Sequence, residues 1–130
     1  MVLVVAQVFQ PSLPPVRPAQ RPPAWDNPAL DKRIGAVFRR ACVDCHSNET
    51  RWPWYARVSP ASWLLIRDVT RGRRQFNLSH QWNFADDERN EVAEAVHNRS
   101  MPPRMYLWLH PEAELTEEER KLFDSWADSE

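Results

Sequence analysis

A short motif of two cysteines and a histidine, CVDCH at residues 42–46, constrains this chain more than any other part of its sequence. Cys42 and Cys45 are the only cysteines among the 130 residues, so each has only the other as a disulfide partner within the chain. A disulfide across two intervening residues would close a very small loop and would restrict the unfolded chain only slightly. A cofactor, a metal ion or redox chemistry explains the pair better.

The pattern C-x-x-C-H is typical of covalent haem attachment. Two intervening residues let both sulfurs reach one edge of a porphyrin, where each thiol can form a thioether with a vinyl group. The imidazole of the next residue then lies beneath the ring, where it can bind the iron as proximal ligand. The sequence therefore predicts one haem c, held covalently by Cys42 and Cys45 and ligated by His46.

Two other kinds of site stay open at this point. A structural zinc site needs four ligands, but the remaining histidines, at 80, 97 and 110, lack the spacing of a typical second ligand pair. A redox dithiol of the thioredoxin type is expected beside a strand–helix–strand unit. No alternating strand pattern of useful length occurs in this sequence, so both alternatives explain less than haem does.

A sixth iron ligand is expected if the haem transfers electrons, and the segment SMPPRMY offers Met101 for that role. The two prolines after Met101 fix the backbone and would hold the thioether in place. Met105 and His110 are the alternative ligands, and Met101 as core filler is the structural alternative.

Aromatic and basic side chains follow the motif and could surround a haem. A chain of this length with seven tryptophans has large flat surfaces to cover, and a planar ligand is one of them. Arg73 could pair with an anionic haem propionate, because guanidinium binds carboxylates bidentately. Core packing and a solvated basic face are the alternatives for these residues. The candidate haem contacts are Trp52, Trp54, Tyr55, Trp63 and Arg73.

Helical periodicity recurs along the rest of the chain and predicts an all-α fold. Ile34, Val37, Phe38 and Ala41 form an apolar stripe that ends at the motif. The second helix is expected to begin with Ser59 as N-cap and Pro60 at its first position, and to end at Gly72. Thr116 and Glu119 form a predicted capping box. The four predicted helices fall within residues 29–42, 59–76, 86–98 and 115–129.

The first 28 residues have a different composition from the rest. Residues 1–9 are apolar but too few to cross a bilayer, which takes roughly 20 residues, and we interpret them as the remnant of an anchor or signal. An ordered apolar strand packed on the domain is the alternative. Residues 10–28 contain seven of the twelve prolines and predict an extended spacer that separates this segment from a haem-binding domain at residues 29–130.

Charge is distributed unevenly along the chain. Residues 1–75 contain 12 basic and 5 acidic side chains, a net charge of +7, whereas residues 76–130 contain 5 and 13, a net charge of −8. The total of −1 implies neither a nucleic-acid partner nor an anionic membrane, and no nucleic-acid partner is expected. The asymmetry could orient a docking partner, although two separately solvated faces are the simpler explanation.

Three longer stretches give the sequence a family resemblance. CVDCHSNETRWPWY, SPASWLLIRDVTRGRRQFNLSHQW and MPPRMYLWLHPEAELTEEERKLFDSW resemble the small monohaem "haem-binding domain" proteins, which are class I-like c-type cytochromes exported across the bacterial inner membrane. The resemblance covers residues from about 27 to 126 and includes the DNP element at 26–28. It implies haem on Cys42 and Cys45, proximal His46 and distal Met101. Ser100 departs from the glycine that usually precedes MPP.

These features together predict a one-electron carrier without bond-making chemistry of its own, and so not an enzyme. We expect it on the periplasmic side of a bacterial inner membrane, associated through its N-terminus, with redox proteins or a membrane electron-transfer complex as partners. A haem-based sensor or gas-binding module, and a structural haem subunit of a larger respiratory or photosynthetic complex, are the alternative functions.

Overall fold

A computed structural model of the chain describes residues 2–18 and 22–129. Helices are the regular secondary structure of these residues, and no strand occurs among them, which confirms the predicted all-α class. The α-helices are α1 (Val2–Val8), α2 (Lys32–Val37), α3 (Val43–His46), α4 (Ala61–Gln75), α5 (Asp86–His97), α6 (Arg104–Leu109) and α7 (Glu117–Ala127). A π-helical turn spans Phe38–Cys42, and 3-10 turns span Ala24–Asp26, Trp54–Arg57 and Pro111–Ala113.

An aromatic cluster centred on Phe38 forms the core. The Phe38 ring is completely buried and lies 5.6 Å from the ring of Phe84, 5.7 Å from Phe123 and 6.0 Å from Trp126, measured between centroids. The contacts with Phe123 and Trp126 are edge-to-face, a geometry that the aromatic quadrupole favours. The predicted apolar stripes before the motif and on the last helix therefore meet in one core.

The last helix begins as the sequence predicts. The Thr116 hydroxyl accepts a hydrogen bond from Glu119 N at 3.2 Å, and the Glu119 carboxylate accepts one from Thr116 N at 2.9 Å. The same carboxylate pairs with Arg40 at 2.7 Å. Because Arg40 lies in the π-helical turn, this pair links the start of α7 to the residues just before the cysteine motif.

The helix that carries the motif does not end at Cys42 as predicted. It continues through the π-helical turn into α3 and ends at His46. A π-helical turn accommodates one extra residue within a helix and is frequent at functional sites. The residues after the turn are therefore rotated relative to the apolar stripe before it.

The predicted bounds of the second helix are also wrong at both ends. Helix α4 begins at Ala61 with Pro60 as N-cap, while Ser59 is buried just before it, and the helix continues past Gly72 to Gln75. Gly72 lies inside the helix. The backbone of Cys45 passes too close to this position for a side chain to fit there. Helix α6 was not predicted, because six residues are too few to show a helical period.

The apolar N-terminal segment is a short helix, and the spacer lies along α4. The carbonyl of Phe9 accepts a hydrogen bond from Trp63 Nε1 at 3.3 Å, and the carbonyl of Pro15 accepts one from Arg73 Nη1 at 3.0 Å. The six residues from Phe9 to Pro15 span roughly 19 Å when extended. The ten helical residues from Trp63 to Arg73 span a similar distance, roughly 15 Å. The described part of the spacer thus runs beside α4. None of the described helices is both long and apolar enough to span a bilayer.

Removal of the central aromatic ring should destabilise the fold strongly. We expect F38A to lower the free energy of unfolding by about 3–5 kcal/mol, because it leaves a cavity where three other rings converge. Phe9→Ala is the matched control, since the Phe9 side chain is 71% exposed, and it should change stability by no more than about 0.5 kcal/mol. Chemical denaturation monitored by circular dichroism measures both, and equal losses would contradict this core assignment.

Candidate functional site

The site is built where α3 packs against α4, and Gly72 makes that contact possible. A Cβ atom at position 72 would lie 2.4 Å from the backbone oxygen of Cys45 and 3.0 Å from its carbonyl carbon. No side chain fits in that space, so α4 approaches the cysteine motif only because residue 72 is glycine. The sequence offered one signal for this role, an isolated glycine inside a helical pattern.

His46 is buried and held by backbone groups of α4. Its Nδ1 atom lies 2.9 Å from the carbonyl oxygen of Gly72 and 3.4 Å from that of Phe76. A carbonyl only accepts hydrogen bonds, so Nδ1 carries the proton and Nε2 keeps its lone pair. This is the arrangement of a metal-binding histidine, whose second nitrogen donates to a backbone carbonyl. The imidazole of His46 therefore fits the role of an iron ligand.

The surroundings of His46 also favour its neutral form. Its ring stacks on Phe76 with 4.1 Å between centroids and an angle of 8° between the planes. Burial lowers the pKa of His46, although the two carbonyl hydrogen bonds act in the opposite direction. A neutral imidazole is the form that binds a metal. Phe76 was missed in the sequence, where nothing about its spacing indicates that it stacks on the motif.

Cys42 and Cys45 are both unbonded thiols and half-buried. Burial raises the pKa of Cys42 to about 12, with a smaller contribution from Cys45. Burial also raises the pKa of Cys45 to about 12, and the nearby carboxylates of Asp44 and Asp68 add to the shift. Both groups are thus protonated thiols at neutral pH. In residues 2–18 and 22–129 no three His, Cys, Asp or Glu side chains gather as a metal site.

Arg73 joins the loop after the motif to α4 and to the spacer. Its guanidinium donates hydrogen bonds to the Ser47 carbonyl at 2.7 Å, to Thr50 Oγ1 at 2.9 Å and to the Pro15 carbonyl at 3.0 Å. These contacts hold the loop at the end of α3. The pairing of Arg73 with a haem propionate, which the sequence suggested, stays a prediction.

The aromatic residues of the same loop occupy different environments. The indole nitrogen of Trp52 is buried and has no hydrogen-bond partner within the described residues. A buried donor without a partner is costly, and a carboxylate such as a haem propionate would supply the acceptor. Trp54 is 80% exposed, and Trp63 is 42% exposed and bonded to the Phe9 carbonyl. Of these three indoles, Trp52 fits the predicted haem contact best.

Tyr55 belongs to a polar cluster beside the motif. Its hydroxyl lies 2.6 Å from Nε2 of His110, and Nδ1 of His110 lies 3.1 Å from the Glu112 carboxylate. Tyr106 stacks on His110 at 4.4 Å and donates to Asp44 at 3.2 Å. Burial raises the pKa values of both tyrosines, and Cys45 contributes to both shifts. Tyr106, which the sequence analysis missed, thus lies near the second cysteine.

Met101 follows α5 and is half-buried, with its backbone nitrogen bonded to the Ala95 carbonyl at 3.1 Å. The alternative ligand Met105 is 60% exposed, and both ring nitrogens of His110 already have protein partners. These environments favour Met101 among the three. Its assignment as sixth ligand stays a prediction.

The contact between Gly72 and Cys45 gives a direct test of this geometry. Replacing an interior helical glycine by alanine ordinarily stabilises a helix by roughly 1 kcal/mol. We expect G72A instead to lower the free energy of unfolding by about 1–3 kcal/mol, because the methyl group collides with rigid backbone, and to lower the haem content of the purified protein. Thr70→Ala on the same helix is the control. A more stable G72A variant with full haem content would contradict the close approach.

Comparison with known proteins identifies the family of the chain. The chain matches the family described as "Haem-binding domain" over residues 1–129. It is also 24% identical over 103 residues to the cytochrome c peroxidase Ccp of Escherichia coli (strain K12). That similarity covers 74% of this chain and 22% of the relative, so the chain spans about a fifth of that protein's length. No solved structure matches significantly. The family match extends over nearly the entire chain, and the protein belongs to the haem-binding domain family.

Proposed function

We propose that this protein transfers single electrons through one covalently bound haem c and catalyses no reaction of its own. The observation that carries the proposal is the state of His46, a buried neutral imidazole with Nδ1 bonded to the Gly72 carbonyl. His46 directly follows the pair Cys42 and Cys45, two unbonded thiols with the spacing of covalent haem attachment. Membership in a haem-binding family and similarity to part of a protein named a cytochrome c peroxidase support a haem-based redox role.

Attachment needs no oxidant. Each cysteine S–H would add across one vinyl double bond, so that a carbon–sulfur bond forms and the hydrogen goes to the other vinyl carbon. Two free thiols are required, which is consistent with the absence of a disulfide between these cysteines.

The chain's own residues would hold and tune the bound group. Haem supplies an iron that cycles between the ferrous and ferric states. His46 would bind the iron, with the Gly72 carbonyl fixing the orientation of the imidazole, and Met101 would supply a further ligand. A methionine thioether ligand raises the reduction potential of the haem iron. Trp52 and the neighbouring aromatic side chains would limit the access of water.

We further propose the periplasmic side of a bacterial inner membrane as the location, with association through the N-terminal segment. Six large apolar side chains in residues 2–9 are more than half exposed, as expected for apolar side chains that face lipid. Redox proteins or a membrane electron-transfer complex are the proposed partners.

Intact mass and absorption spectra test the cofactor. We expect the mass of the purified protein to exceed that of the polypeptide by one haem, and the pyridine haemochrome spectrum to be that of a haem with two thioethers. C42S should shift this spectrum to that of a single thioether, whereas Ser125→Ala, at an exposed position of α7, should keep it unchanged. A colourless protein with the mass of the bare chain would refute the proposal.

The sixth ligand is tested by paired methionine substitutions. Met101→Ala should abolish the sulfur-to-iron charge-transfer band of the oxidised protein and lower its reduction potential, because it removes the thioether ligand. Met105→Ala should keep both properties. An open or exchangeable sixth site in the unaltered protein, shown by rapid carbon monoxide binding and no charge-transfer band, would instead favour a gas-binding sensor.

A further inference from the structure

The outer face of α4 carries exposed side chains, among them Trp63, whose indole is bonded to the Phe9 carbonyl and does not share the buried environment of Trp52. Successive residues of an α-helix are about 100° apart, so the side chains at positions 63, 64, 67, 71 and 74 fall within an arc of about 100°. All are exposed, although most of the helix's other residues are at least half-buried. The members of this outer face are Trp63, Leu64, Arg67, Arg71 and Arg74.

The outer face has an apolar end and a basic end. Trp63 and Leu64 lie at the first turn of α4, and the three arginines follow at about one per turn. Arg67 is paired with Asp68, which lies outside the arc. Arg71 and Arg74 have no ion pair within the described residues, so their charges are available to a partner.

Neighbouring segments extend the apolar end. Trp63 donates to the carbonyl of Phe9, which places the end of the apolar N-terminal segment beside the first turn of α4. Gln7 and Gln10 fix the same segment to Ser59. The 3-10 turn Trp54–Arg57 packs against α4, and the Trp54 side chain is 80% exposed. The apolar surface is therefore continuous from the N-terminal segment onto the domain.

We propose that this outer face docks on the surface of an anionic phospholipid bilayer, beside the point where the N-terminal segment enters it. Tryptophan prefers the membrane–water interface, and arginines on an amphipathic helix bind anionic headgroups. An acidic protein would match the arginines but not the continuous apolar surface with the N-terminal segment. Because Arg73 joins α4 to the loop after the motif, docking would also fix the orientation of the haem site relative to the membrane.

This inference rests on the proposed membrane association but can fail separately from it. The test measures co-sedimentation of the haem-loaded full chain with phosphatidylcholine vesicles, with and without phosphatidylglycerol. The charge-reversal variant is R71E/R74E. The matched control is K32E/K121E, which changes the net charge equally on exposed residues of α2 and α7.

We expect R71E/R74E to bind phosphatidylglycerol vesicles at least about 30-fold more weakly than the unaltered protein, because each basic residue near an anionic surface contributes roughly fivefold. The control variant should lose much less, and both should bind neutral vesicles unchanged. Added salt should reduce the preference of the unaltered protein for anionic vesicles.

Equal losses in the two double variants would overturn the docking face, because net charge alone would then explain binding. Unchanged binding by R71E/R74E would overturn it as well, and would leave association through the N-terminal segment intact if neutral vesicles still bind the protein. No binding of the unaltered protein to either vesicle would refute the membrane association together with the docking face.

Discussion

The hydrogen bond between His46 and the backbone carbonyl of Gly72 is the interaction on which the site depends. It orients the imidazole and fixes its tautomer, so that Nε2 keeps the lone pair a metal needs. It exists only because α4 lies against the motif, and that contact requires a residue without a Cβ atom at position 72. One glycine thus provides both the space for the contact and the acceptor that uses it.

Polar contacts around the motif make this arrangement rigid. Arg73 binds the carbonyl of Ser47, and Thr50 donates from its hydroxyl to the carbonyl of Asp44 at 2.7 Å. The Asp44 carboxylate accepts from Arg51 and from Tyr106. Side chains from three segments therefore form hydrogen bonds with the polar groups of α3 and of the loop that follows it. A site held in this way would need little rearrangement when charge is added or removed, which suits the proposed one-electron transfer.

The basic and acidic side chains of the chain are concentrated on different helices. The basic excess of the first 75 residues includes the arginines on the outer face of α4, while α5 and α7 each have three acidic residues in their first turn. The acidic side chains at these helix N-termini interact favourably with the helix dipoles. The uneven charge of the sequence thus has two causes, helix termini in one half and an exposed helical face in the other.

Several features could be predicted from the sequence because local chemistry decides them. The all-α class follows from apolar periodicity, and the capping box at Thr116 and Glu119 follows from side chains three residues apart. Family membership was recognisable from the motif and its flanking stretches. The helix bounds near Cys42 and Gly72 were predicted wrongly. Glycine near the end of a helical pattern usually marks a C-terminus, but Gly72 instead allows the close contact with Cys45.

The sequence by itself determined the identity and spacing of the cysteines and histidine, and with them the class of cofactor, since these depend on residues adjacent in the chain. Only the tertiary structure decided which groups orient His46, where the spacer lies, and which tryptophan has a buried indole nitrogen. Phe76, Tyr106 and the Gly72 carbonyl reach the motif from residues 26 to 62 positions away. Contacts over such separations depend on how helices pack, and packing is set by the complete set of apolar faces rather than by any local pattern.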